Sequence, residues 1–413
     1  MKKIMALVSF CCMALVSKAQ VVDPKAVAKD AATSKANNHI ESGVNNTADK
    51  VENGIKGLFK KKKKAVDTVA KVQPPTAIPI KDTLPKAAGS PTLKTYSNYD
   101  FLPGNRIIFE DNFMDDQDGE FPAHWQLGAG QAILNMIGDD KALKLTDGNF
   151  AHVKPLMKSK TYLTDTFTIE YDLYPYADAY PPHLYFYSVD GSTSELGQAR
   201  FDNGFETVQF SSTTDVDLSG NIPADLRSSW RNNWHHVAIA YRNKQMKIYV
   251  DQYRILVIPN TGISPKAFDI EGIGNADNPI AFKNVRVANG GGMNMLGKKF
   301  TDTKIVTHGI NFDVDKATIK PESMGTLNMI VGILRDNPEI KFEIDGHTDA
   351  TGSAPHNLTL SQQRADAVKS QLTSMGIDAA RLTTKGFGST KPISDNSSLE
   401  GKANNRRVEF IKQ

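Results

Sequence analysis

The stretch IKFEIDGHTDATGSAPHNLTLSQQR, residues 340–364, decides how the last quarter of the chain is read. Ile340, Phe342 and Ile344 alternate with Lys341, Glu343 and Asp345, the period of two that marks a half-buried strand. The strand is expected to end at Gly346, with a polar loop from His347 to Asn357. A helix is expected near Ser361, with Val368 and Leu372 at helical spacing from Arg364 and Ala365. Thr359 or Ser361 can cap it, and Thr359-x-x-Gln362 fits a capping box. Asp349 then lies just past a strand's carboxyl end, and Arg364 lies in a helix's first turn. Such a strand-end loop facing a helix N-terminus suits a small ligand. A carboxylate and a planar guanidinium complement the two ends of an amino acid zwitterion. The same pair could instead bridge each other and simply fasten loop to helix.

From about Val306 to Ile411 the chain resembles the OmpA-like peptidoglycan-binding domain, which also occurs in peptidoglycan-associated lipoproteins and flagellar stator proteins. The segments that carry the resemblance are INFDVDKATIKPES (310–323), NPEIKFEIDGHTDATGS (337–353), NLTLSQQRADAVKSQL (357–372), RLTTKGFG (381–388) and NNRRVEF (404–410), in the family's order. The resemblance implies that Asp349 and Arg364 hold the zwitterionic centre of diaminopimelate in the peptidoglycan stem. It also implies that Phe312, Asp313 and Asn357 line the pocket, through backbone or side-chain atoms. A strand near Gly309–Phe312, a helix carrying Ile319, Leu327, Ile330, Val331 and Leu334 and ending at Asn337–Pro338, and a last strand Arg407–Ile411 complete an α+β order β-α-β-α-β-β. Arg406 and Arg407 flank that last strand on opposite faces, so at most one reaches the pocket. His347, Asp349 and His356 match no standard metal spacing.

The N-terminus reads MKKIMALVSFCCMALVSKAQ: a basic pair, an apolar run from Ile4 to Val16, and Ser17-Lys18-Ala19 as a small-x-small site. A cleavable signal peptide, residues 1–19, is expected. Phe10 stands where a lipobox before Cys11 would carry a small residue, so neither Cys11 nor Cys12 reads as a lipidation site. The mature chain then has no cysteine, and its stability rests on burial rather than disulfides. Residues 20–104 hold 14 Lys against 8 Asp and Glu, with the run Lys60–Lys64 and prolines gathered toward the end. They read as a Lys/Pro-rich linker, partly helical or a solvated spacer. A stretch at 40–72 could also clip onto anionic outer-membrane lipid or an envelope protein. The net charge of +3 over 413 residues is too small to imply a nucleic-acid partner.

Residues 105–290 carry short alternating runs with turn signals at Asp147–Gly148, Asp190–Gly191, Asn203–Gly204, Asn260–Gly262 and Asn289–Gly290. Val237, Ile239 and Tyr241, then Met246, Ile248 and Val250, face each other across a turn at 242–245 and predict a hairpin. An antiparallel double-sheet sandwich is expected. NNWHHVAIAYRNKQMKIYVD (232–251), EDNFMDDQDGEFPAHW (110–125) and FKNVRVA (282–288) resemble laminin-G-like, concanavalin-type jelly rolls. Trp125, Trp230 and Trp234 could stack on sugar; core packing is the reading favoured for Trp234, which leads straight into a strand. Glu170 and Asp172 share a strand face, but Tyr174 and Pro175 stand where a retaining glycosidase of this type needs its second carboxylate. A membrane barrel is disfavoured by short runs crowded with Lys244, Lys247 and Arg254. Asp111, Asp115, Asp116 and Asp118 could hold calcium, yet lack the full EF-hand pattern.

The sequence therefore predicts a multidomain, exported, non-enzymatic protein of the outer membrane and periplasm. Its parts are a signal peptide (1–19), a linker (20–104), an all-β jelly roll (105–290), a short linker (291–304) and an OmpA-like region (305–413). Peptidoglycan is the expected partner, and no cofactor or metal is implied. An unidentified glycan or protein remains for the jelly roll. The alternative is a wall-anchored protein that binds or hydrolyses carbohydrate through the jelly roll.

Overall fold

The computed structural model describes residues 92–413 apart from 177–179, 203, 275–276 and 292–299. The expected signal peptide (1–19), the segment 40–72 and most of the two expected linkers lie outside the described residues. Thirteen strands come first: β1 (Arg106–Asp111), β2 (Trp125–Ile137), β3 (Asp140–Pro155), β4 (Thr166–Pro175), β5 (His183–Tyr187), β6 (Glu195–Asp202), β7 (Thr207–Ser212), β8 (Asp217–Asn221), β9 (His235–Arg242), β10 (Gln245–Val250), β11 (Tyr253–Ile258), β12 (Ala267–Gly274) and β13 (Ile280–Asn289). They form one continuous antiparallel sheet in the order β11-β10-β9-β4-β13-β3-β12-β5-β6-β7-β8, with β1 added to β13 and β2 to β3. β8 and β11 lie against each other, so the sheet is nearly closed rather than split in two. The predicted hairpin is present as β9–β10. Its turn residues Asn243 and Lys244 both have positive φ, the backbone of a tight hairpin turn whose twist suits antiparallel strands.

Apolar side chains fill the inside of this sheet. Trp125 meets the Phe109 ring edge-on at 5.3 Å and packs beside Phe113 and Phe282. Trp230 stacks on His235 at 4.0 Å between Phe201 and Phe205. An apolar interior with Lys154, His183, Arg200 and Glu271 on other strand positions is the reverse of a membrane barrel's apolar outer band. Among the described residues no helix is long and apolar enough to cross a membrane. Trp234 departs from the expected core position. It is half-buried, its ring 5.2 Å from Tyr174 and with the Lys283 ammonium 4.1 Å above it. It immediately precedes β9, so its side chain is not bound by that strand's alternation.

The C-terminal region follows as β14 (Lys304–Thr307), α1 (Met324–Asp336), β15 (Phe342–His347), α2 (Ala354–Ser374), β16 (Leu382–Gly386), α3 (Leu399–Asn405) and β17 (Arg407–Lys412). The sheet order is β14-β17-β15-β16, with β15 and β16 parallel and the other pairs antiparallel. Two expectations change. The first strand lies at 304–307, not near Gly309–Phe312, which is loop apart from a bridge between Phe312 and Ile319. A short helix, α3, separates the last two strands, so the order is β-α-β-α-β-α-β.

Residues 93–101, assigned to the linker on composition, are packed instead. Tyr96, Tyr99 and Phe101 are buried in one cluster with Ala238 and Tyr249 of β9 and β10 and with Met324 and Leu327 of α1. Tyr99 and Phe101 meet the Tyr249 ring edge-on at 5.5 and 5.4 Å. Asn328 donates to the carbonyls of Ser97 and Tyr99, both at 3.0 Å. At Gly325 an added Cβ would lie 1.8 Å from the Phe101 carbonyl oxygen, so only glycine lets α1 approach this strap. The strap is thus shared core between the β1–β13 sheet and the C-terminal region. Phe101→Ala should cost about 3–5 kcal/mol of unfolding free energy in urea titration. A loss below about 0.5 kcal/mol would mean that the strap contributes nothing to the fold.

Candidate functional site

The site is built where β15 ends. Phe342 and Ile344 are buried toward the helices, and Gly346 continues that face. A Cβ at Gly346 would lie 2.2 Å from the Ser361 carbonyl oxygen, so this glycine lets α2 cross close to the strand end. The helix begins at Ala354, seven residues earlier than expected from Ser361. Ser353 is its N-cap, accepting from the His356 amide, and Pro355 occupies the first turn. The loop is therefore only 348–353. Arg364 sits in the third turn rather than the first, on a helix fixed by the Gly346 crossing.

Asp349 is buried, and its two oxygens are both engaged. Oδ1 accepts from the Thr351 amide at 2.8 Å and Oδ2 from Arg406 Nη1 at 2.6 Å. Burial alone would raise its pKa; the bonds from Arg406 and Thr351 outweigh this and hold it below the usual carboxylate range. Arg364 makes no bridge to Asp349. Its Nε donates to the Lys316 carbonyl at 2.9 Å, its Nη2 to the Asp313 carbonyl at 3.3 Å, and its guanidinium lies 4.9 Å from the Phe312 ring centre. Nη1 has no partner among the described residues. Burial, then the Arg406 charge, lowers the Arg364 pKa, while Asp315 and Asp349 oppose that. The Asp349 charge therefore acts on Arg364 without the two groups closing on each other.

The other expected residues frame this pair. Phe312 lies beneath the guanidinium. Asp313 contributes its backbone carbonyl rather than its carboxylate. Asn357 acts through its side chain: Nδ2 donates to the carbonyls of Asp349 at 3.3 Å and Thr351 at 2.9 Å, pinning the loop. Arg406 is the one of the two C-terminal arginines that reaches the site. Arg407 turns the other way, bonding Glu409 Oε1 at 2.6 Å and the Lys391 carbonyl at 3.1 Å. His347 is buried and stacks on Phe387 at 5.2 Å, while His356 pairs with Asp315 at 2.5 Å, so the two imidazoles serve different neighbours. Two residues were missed in the sequence. Asp315 had no spacing signal, and Glu110 of β1, which holds the far side of Arg406, lies in another part of the chain.

In the β1–β13 sheet, Asp111 accepts from the Phe113 amide at 2.7 Å and Trp125 Nε1 at 3.0 Å, and Asp118 pairs with Lys141 at 3.4 Å. Ligand atoms of Asp111, Asp116 and His124 lie within 4.8 Å of one another. That set includes an imidazole, whereas calcium takes oxygen ligands. Glu170 and Asp172 both serve His236, at 3.6 and 2.9 Å.

Asn357→Ala would leave two loop carbonyls without their donor and should cost about 1–3 kcal/mol, read as a lower midpoint in urea together with faster exchange of the Thr351 amide. On the same strand, burial and then the nearby carboxylates of Glu343 and Glu409 push the Asp345 carboxyl up to about 6. A folded pKa raised above the unfolded value means the ionised form is penalised. Stability is then full below about 3.9 and falls as pH rises through 6. Asp345→Asn should therefore raise Tm at pH 8 and leave it unchanged near pH 3; an equal shift at both pH values would contradict this origin.

Residues 311–406 match the OmpA family. "Probable lipoprotein YiaD" of Escherichia coli (strain K12) is 45% identical over 103 residues, which are 25% of this chain and 47% of that protein. "Peptidoglycan-binding protein ArfA" of Mycobacterium tuberculosis (strain ATCC 25618 / H37Rv) is 40% identical over 107 residues, 26% of this chain and 33% of that protein. The crystal structure of the peptidoglycan-associated lipoprotein from Burkholderia pseudomallei aligns at 26% identity and a TM-score of 0.25, over 28% of this chain and 95% of that one. The chain spans less than half the length of these two curated relatives, and what it shares with them is a segment of about a hundred residues. The C-terminal quarter of the chain, in which the Asp349 and Arg364 site lies, is an OmpA-like domain.

Proposed function

We propose that the chain is a non-enzymatic envelope protein that binds peptidoglycan noncovalently through the diaminopimelate of the peptide stem. The observation that carries this reading is the spacing of opposite charges at the end of β15. Asp349 and Arg364 are each anchored by the surrounding chain, the Asp349 charge acts on Arg364, and the two are not bridged to each other. A zwitterion fits between them, its ammonium on Asp349 and its carboxylate on the free Nη1 of Arg364. Phe312 supports the guanidinium, Asp313 orients it through a carbonyl, and Asn357 holds the loop. The similarity to a protein named for peptidoglycan binding supports the same reading. The setting we infer is the outer membrane and periplasm, after export by the signal peptide, with 40–72 as a contact to anionic lipid or an envelope protein.

The nearly closed sheet we read as a jelly-roll-like module that meets a second envelope component. A glycan is favoured by its outward aromatic group, where Trp234, Tyr174 and Tyr176 lie ring to ring within 5.2 Å. Hydrolysis by Glu170 and Asp172 is disfavoured because Glu170 is buried and Asp172 is bonded to His236 at 2.9 Å.

Asp349→Ala would strand the ligand's ammonium and Arg364→Ala its carboxylate. Each charge-assisted contact is worth roughly 1.5–3 kcal/mol, so each change should weaken binding of the full chain to purified sacculi by about tenfold to a hundredfold. Arg364→Lys should recover only part of this, because an ammonium cannot reproduce the two-pronged fork. Co-sedimentation read beside a thermal melt checks it. Unchanged binding by well-folded Asp349→Ala and Arg364→Ala proteins would remove the site.

A further inference from the structure

We propose that Glu110, from the first strand of the β1–β13 sheet, is a positioning residue of the ligand site: it takes one arm of the Arg406 guanidinium, so that Asp349 is held by a single arm and keeps acceptor capacity for a ligand cation. The inference rests on the reading of Asp349 as the ammonium-binding group. Four charges alternate in one line. Asp349 Oδ2 accepts from Arg406 Nη1 at 2.6 Å, and Arg406 Nη2 donates to Glu110 Oε2. Glu110 Oε1 in turn accepts from Arg286 Nε at 2.7 Å and Nη2 at 2.6 Å. Arg286 Nη1 closes the line back onto the OmpA-like domain, donating to Asn311 Oδ1 at 3.0 Å and the His308 carbonyl at 3.3 Å.

The backbone fixes both ends of this line. Glu110 and Arg286 are cross-strand partners in the β1–β13 pairing. Two residues before Arg406, Asn404 clips onto β1 like a strand neighbour: it accepts from the Ile107 amide at 3.0 Å and donates to the Ile107 carbonyl at 2.8 Å. Ala403 packs on Ile107 and Ala288 beside it. Arg406 is therefore delivered to Glu110 by the docking of α3 on β1, and its side chain bridges from there to Asp349. Burial would raise the Glu110 pKa, but the charges of Arg286 and Arg406 dominate and hold it at about 2, so it is ionised at any physiological pH.

The consequence follows from charge counting. Asp349, Arg406, Glu110 and Arg286 sum to zero. Without the Glu110 carboxylate the sum is +1, next to Arg364, and Arg406 is free to turn both nitrogens onto Asp349. A carboxylate gripped by a fork from an unneutralised guanidinium is a poorer acceptor for a ligand ammonium. The sheet is thus part of the binding machinery although it touches no ligand.

The test uses the full chain, sacculi and free meso-diaminopimelate as probes, and the variants Glu110→Gln, Arg406→Gln and their combination. Glu110→Gln should weaken binding of both probes roughly three- to tenfold, the scale of one charge acting at a few ångströms through partly solvated protein. In the Arg406→Gln background the same change should weaken binding much less, because the guanidinium that Glu110 holds off Asp349 is gone and only the charge at longer range remains. Its effect on Tm, which also runs through Arg286, should persist in both backgrounds. A purely structural role would move Tm alone, or lower binding equally in both backgrounds, and either result overturns the proposal. Full binding by Glu110→Gln while Asp349→Ala loses binding would reject the positioning role and keep the site. Full binding by Asp349→Ala would reject both.

Discussion

The guanidinium of Arg406 is shared between two carboxylates that come from distant parts of the chain, Asp349 in the β15–α2 loop and Glu110 in β1. A group so placed cannot be moved without uncovering a charge on each side. Arg406 itself is exposed, but Asp349 is buried and Glu110 half-buried, and without the guanidinium both carboxylates would lose their shared partner while staying largely out of water. The loop that carries Asp349, the start of β17 and the outer edge of the thirteen-stranded sheet are consequently held to one arrangement. Geometry around Asp349 depends on this, since six loop residues between β15 and α2 have few apolar contacts of their own.

Apolar packing does the complementary part of the work. Tyr96, Tyr99 and Phe101 lie between Tyr249 of the sheet and Leu327 of α1, so the strap is covered on both sides. Around that apolar patch, the outward faces of β4 and β9 carry Glu170, Asp172 and His236, and the loop before α1 brings Lys320 and Glu322. Charges on a face that is being covered need compensation within the interface. Here each carboxylate has a cationic neighbour, and Asn284 adds a 2.7 Å bond to Asp172.

What could be read from the sequence was whatever has a period or a fixed motif. Alternation located β15 and the β9–β10 hairpin, and the ordered segments of the C-terminal quarter located Asp349 and Arg364. The helix start went to Ser361 because the capping-box pattern outweighed Ser353 followed by Pro355, which is itself a helix-start signal. Trp234 was read as core because it touches a strand in sequence, yet the residue before a strand is not bound by its alternation. The strap was read as linker because proline and lysine dominate its neighbourhood, although three aromatics within six residues were the clue to burial. Glu110 and Arg406 could not be paired in advance: 296 residues separate them, and a contact across that distance leaves no local pattern.

The protonation state of His236 bears on whether this arrangement is a fixed joint or a pH-sensitive one. Burial would lower its pKa, but the hydrogen bonds and charges of Asp172 and Glu170 prevail and raise it to about 10. A raised folded pKa means that the stabilisation is complete below the unfolded value near 6.5 and is lost progressively from there as pH climbs through 10. Glu110 behaves in the opposite sense: with a folded pKa near 2, its contribution is complete above about 4.5 and is lost as pH falls through 2. The two contributions are complete together only between about 4.5 and 6.5, and above that the His236 contribution shrinks with rising pH. In the folded protein His236 nevertheless stays cationic and Glu110 anionic throughout the neutral range, so the charges on both sides of the joint keep one state there.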